Sequence, residues 1–84
     1  MEVDMTIGEA ARSRILELCR ERGITVNKLA TLCGITQSTL NNIVSGRNRA
    51  MTLSTVQKIC DGLDIDIIEF FNSPIFNDVE QELK

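Results

Sequence analysis

Gln37, Ser38, Thr39, Asn41 and Asn42 crowd into the segment QSTLNN, and all five end in an amide or a hydroxyl. Such groups hydrogen-bond without carrying charge. Displayed on a helix they suit the edges of base pairs: an Asn or Gln amide offers a donor and an acceptor together, as adenine requires, and Ser or Thr serves either role. A helix face left in water is ordinarily stocked with Glu, Lys and Arg, which form helices well and keep a protein dispersed. This face has none. The chain holds no histidine, no nucleophile beside a base and no Gly-rich phosphate loop, so neither catalysis nor a cofactor is expected. Cys19, Cys33 and Cys60 are odd in number, far apart and without a C-x-x-C or His companion. They read as small core side chains in a reducing compartment, not as a metal site.

The polar row needs a helix over residues 37–45 to hold it out, with Leu40, Ile43 and Val44 turned inward. Thr36 suits its N-cap and Gly46 its C-terminal end. A shorter helix over 26–33 precedes it, capped by Thr25 and striped by Leu29, Ala30 and Cys33. Gly34 supplies the positive φ between the two, and Ile35 plugs the turn. Two short helices joined this tightly, the second displaying hydrogen-bonding groups, make a helix-turn-helix unit.

The rest of the chain reads as its support. Thr6-Ile7-Gly8-Glu9 has capping-box spacing and opens a helix over 7–22, with Ala11, Ile15, Leu18 and Cys19 inside. Arg12, Arg14 and Arg22 could face DNA, but for most of them a charged helix exterior is the expected role. Thr52 caps a helix over 53–63, whose core face is Leu53, Val56, Ile59, Cys60 and Leu63. Asp66 and Glu69 mark a fifth helix ending at Phe70-Phe71, which Pro74 stops. This divides the chain into a flexible N-terminus (1–6), one folded domain (7–72) and an acidic tail (73–84). In the tail Ile75, Phe76, Val79 and Leu83 would line a short helix.

Net charge is −3, which argues at first against a nucleic-acid partner. Its distribution reverses the argument. Residues 23–60 hold Lys28, Arg47, Arg49 and Lys58 and no acid, whereas residues 61–84 hold seven acids against Lys84. Screening confines fields to about 8–10 Å, so the local balance decides. No apolar run is long enough to cross a bilayer and the N-terminus lacks a leader pattern, so no membrane association and a cytoplasmic location are expected.

Leu29, Ala30, Gly34, Ile35, Leu40, Ile43 and Gly46 resemble the lambda-repressor-like (Cro/C1, XRE) family of helix-turn-helix DNA-binding domains. The later TLSTVQKICDGLDIDIIEFF is similar to that family's closing helices, so the likeness covers residues 10–71. It implies a compact all-α, five-helix domain that lays its recognition helix in the major groove of double-stranded DNA. Gln37, Ser38, Thr39, Asn41 and Asn42 would then meet bases. In relatives a Gln or similar residue opens the first helix of the pair and braces the recognition residue and a phosphate. Val26 stands there in this chain, so Thr25, Asn27 and Lys28 inherit the phosphate contact, joined by Arg47, Asn48 and Arg49 in the following loop. Relatives also place Gly after the fourth helix, where this chain has Asp64, with Gly62 two residues earlier.

One unit reads few base pairs, so a homodimer on a near-palindromic operator is expected, acting as a prokaryotic or phage transcriptional repressor. Phe70, Phe71, Ile75, Phe76, Val79 and Leu83 form the expected dimer or partner surface, with packing of the tail stripe on its own domain an equal alternative and one of the two adjacent Phe expected to plug the core. The alternative reading is an antitoxin or other interaction module, its acidic tail covering a protein partner while DNA binding is autoregulatory.

Overall fold

Each α-helix starts on a side chain that accepts from an otherwise unpaired backbone N–H, and these caps set the element bounds. The computed structural model describes residues 6–46 and 51–79. Within them lie α1 (Ile7–Arg22), α2 (Val26–Cys33), α3 (Gln37–Ser45), α4 (Leu53–Leu63), α5 (Ile67–Phe71) and a 3₁₀ turn (Pro74–Asp78). The Thr6 hydroxyl accepts the Glu9 N–H at 3.1 Å while the Thr6 N–H donates to Glu9 Oε1 at 2.9 Å, a reciprocal capping box. Thr6 is thus part of the domain and not of a flexible N-terminus. Thr25, Thr36, Thr52 and Asp66 accept from the N–H three residues on in the same way.

The core is aliphatic apart from Phe70 and drawn from every α-helix: Ile15 and Leu18 of α1, Leu29 of α2, Leu40 and Ile43 of α3, Ile59 and Leu63 of α4, Phe70 of α5. The three cysteines are free thiols in this core. Burial pushes the Cys33 thiol up to about 11, with Cys19 and Cys60 nearby adding to the effect; burial raises the other two as well. Thiols held protonated in this way are poor nucleophiles. α2 packs chiefly on α4 and α3, so α4 is the platform that carries the helix pair.

Four further expectations need correction. Arg14 is no exterior residue: it is 6% exposed. Its Nε donates to the Phe70 carbonyl at 2.6 Å, its Nη2 to the Glu69 carbonyl at 2.8 Å and its Nη1 to Glu17 Oε1 at 2.6 Å. A planar guanidinium suits this because the last carbonyls of α5 have no partners within the helix. Leu53 is 80% exposed and does not belong to the core face of α4. As first residue of the helix it lies in phase with Val56 but beyond the edge of the layer beneath.

The described part of the tail forms a 3₁₀ turn and not an α-helix; its backbone leaves helical geometry at Val79 (φ −76°, ψ 133°). Phe70 cannot belong to a partner surface, being fully buried in its own domain. Its ring lies 5.0 Å from that of Phe71 and 6.3 Å from that of Phe76, centroid to centroid. Ser73 ties the start of the tail to α1 by donating to Glu17 Oε1 at 3.1 Å.

Asp64 itself takes the left-handed position that ends α4, at φ 58° and ψ 47°, and is the one non-glycine residue with positive φ among those described. Asp tolerates this region better than most residues, but at a cost. Asp64→Gly is therefore expected to stabilise the domain by about 0.5–1 kcal/mol in urea unfolding. Equal or lower stability would show that the Asp side chain compensates for the strain.

Candidate nucleic-acid interface

Gly34 turns the chain between α2 and α3 at φ 70° and ψ 28°, and its N–H returns to carbonyls of Ala30 and Thr31. The Ile35 N–H donates to the Ala30 carbonyl at 3.0 Å, closing the end of α2. Ile35 packs on the core from inside the turn. Thr36 then starts α3, and with Leu40 and Ile43 buried the rotation of that helix is set.

Gln37, Ser38, Thr39 and Asn41 are consequently exposed, while Asn42 is half-buried. Their free hydrogen-bonding capacity differs. Gln37 and Ser38 have no side-chain hydrogen bond within the described structure, so both present every donor and acceptor outward. The Thr36 hydroxyl, besides accepting the Thr39 N–H, donates to Thr39 Oγ1 at 2.7 Å. The Thr39 hydroxyl keeps its own proton to donate. The Asn41 amide is engaged, donating from Nδ2 to the Gln37 carbonyl at 2.7 Å and to Asn27 Oδ1 at 2.8 Å.

That second bond crosses the turn. Val26 does open α2, and the residue that reaches α3 is Asn27, one position on, holding Asn41 and not Gln37. Thr25, Asn27 and Lys28 are all exposed at the start of α2. Neither α2 nor α3 has an acidic residue in its first turn, so the partial positive charge of both N-termini is left unneutralised. Arg12 reaches the other end of α3: its Nη2 lies 3.9 Å from where a Cβ on Gly46 would stand, a favourable place for a cation at a helix C-terminus. Arg47, Asn48 and Arg49 lie outside the described residues, as does Leu83 of the tail.

Phe71, Ile75, Phe76 and Val79 are half-buried, and Phe71 and Phe76 pack on each other with ring centroids 4.9 Å apart. The described part of the tail thus covers its own domain. No group of His, Cys, Asp and Glu among the described residues is placed to hold a metal, and no helix there is long and apolar enough to cross a membrane.

Comparison with known proteins agrees with this geometry. The model of the Cro/C1-type HTH DNA-binding domain matches residues 14–73. The chain is also similar to prophage Lp1 protein 11, whose crystal structure superposes with a TM-score of 0.75 at 37% sequence identity, covering 89% of this chain and 99% of that one. No curated protein matches the chain.

Proposed function

The chain belongs to the Cro/C1-type helix-turn-helix DNA-binding family, and from that premise we propose that it is a sequence-specific transcriptional regulator, a repressor that binds a near-palindromic operator as a homodimer. The observation that carries the specificity is the uncharged, exposed row at the start of α3, where Gln37 and Ser38 keep all their hydrogen-bonding groups free. Affinity comes from the acid-free stretch 23–60 and its four cations, because phosphate neutralisation supplies most of the sequence-independent binding. Likeness to a prophage protein favours a phage or prokaryotic setting. The dimer reading is supported by apolar surface on α5 and the tail: Ile68 of α5 is 79% exposed, and Phe71, Ile75, Phe76 and Val79 keep part of their surface in water.

Selection of binding sites from random DNA, at a stated salt concentration, tests this reading. Gln37→Ala is expected to lose about 1–3 kcal/mol at the selected site and to relax preference at one base pair. Arg47→Ala and Arg49→Ala should weaken all sequences alike and flatten the salt dependence by about one unit each. Equal loss on operator and random DNA in Gln37→Ala would remove the base-reading role. Sedimentation of the operator complex counts the copies, and a single chain per site would remove the dimer.

A further inference from the structure

We infer that Asn27 sets the polarity of Asn41, so that this side chain of the recognition helix presents only a hydrogen-bond acceptor to the DNA. The inference rests on α3 being the base-reading helix. The Gln37 carbonyl, 2.7 Å from Asn41 Nδ2, can only accept. The amide edge facing it must therefore be the NH₂, which removes the usual ambiguity of an Asn side chain. That NH₂ has two hydrogens. One goes to the Gln37 carbonyl and the other to Asn27 Oδ1 at 2.8 Å, and Oδ1 of Asn41 is all that remains.

The same logic orients Asn27. Its Oδ1 is turned to Asn41, so its own NH₂ faces away at the exposed start of α2, where a donor meets a phosphate. An intact asparagine amide reads adenine with a donor and an acceptor together; an acceptor alone matches the N4–H of cytosine or the N6–H of adenine and opposes the O6 and N7 of guanine and the O4 of thymine. Asn27, without touching a base, would thus decide which base Asn41 admits.

The test compares wild-type protein, Asn27→Ala and Asn27→Asp on the selected site and on every single-base variant of it, at one low salt concentration. Asn27→Ala frees one Asn41 hydrogen. It is expected to raise the relative affinity for guanine or thymine about tenfold at one position and to leave the ranking elsewhere unchanged. Asn27→Asp keeps an acceptor for Asn41 but loses the outward donor, so the wild-type ranking should persist while all sequences bind more weakly.

An Asn27→Ala profile parallel to wild type would overturn the inference and leave Asn27 a phosphate contact. So would a change of ranking shared by Asn27→Asp. If wild-type protein ranks no bases, the base-reading proposal itself fails. The side-chain amide spectrum of the free protein still decides the clamp separately: two hydrogen-bonded Asn41 protons in wild type and one in Asn27→Ala support it, and identical spectra refute it.

Discussion

Arg14→Ala is expected to cost about 3–5 kcal/mol, enough to leave a domain of this size marginal or unfolded. The substitution removes three donors at once. The Phe70 carbonyl is left unpaired in buried surroundings at the end of α5, and the Glu69 carbonyl keeps only the Asn72 N–H at 3.2 Å. Glu17 loses its ion-pair partner at 2.6 Å, and Ser73 is then held by a carboxylate that nothing positions. Unmade buried hydrogen bonds cost about 1–3 kcal/mol each, whereas the net gain from making one is smaller, so the loss comes mainly from what is left behind. Arg14→Met separates the causes, because it restores the packing of the stem and none of the donors. It should recover little in urea unfolding. Arg14→Lys keeps the charge but lacks the fork and should fall between. If Arg14→Met were as stable as wild type, the guanidinium would be serving only as filler.

Arg14 also shows where sequence reasoning stops. Its position was informative: it lies on the same stripe as Ala11, Ile15 and Leu18. Its type pointed the other way, to a charged exterior. What resolves the conflict is a pair of carbonyls 55 and 56 residues away, and backbone carbonyls have no sequence signature. The helix starts were legible for the opposite reason. Thr6, Thr25, Thr36, Thr52 and Asp66 cap residues three positions on, so cap and target sit in one window. Leu53 was misplaced because periodicity gives direction and not depth; a helix's first residue can point inward and still overhang its support. In the candidate interface the exposed row from Gln37 was readable as a pattern. The bond from Asn27 to Asn41 was not, since it spans a turn whose angle depends on Gly34, Ile35 and the α4 platform together.

Gly62→Val should cost about 3 kcal/mol or more, and Gly62→Ala about 1–2. Gly62 lies inside α4, where glycine is roughly 1 kcal/mol less favourable than alanine. No positive φ calls for it. The reason is distance: a Cβ there would meet Cys33 Sγ at 2.6 Å and the Cys33 Cα and N at 3.0 Å. The sulfur can swing away, though only by giving up its weak bond to the Ile59 carbonyl at 3.8 Å. The backbone of α2 cannot, so α2 and α4 must separate, at the usual cost of overfilling a packed interface. The double substitution Gly62→Ala with Cys33→Ala therefore tests the cause. Removing the sulfur should restore only part of the loss, because the backbone contacts remain. Complete recovery would show that the thiol alone was in the way. The same displacement moves α2 relative to α3 and strains the Asn27–Asn41 bond. Surviving Gly62→Ala protein should thus bind its selected site less tightly than wild type when compared at equal folded concentration, although Gly62 itself is none of the DNA contacts proposed for this domain.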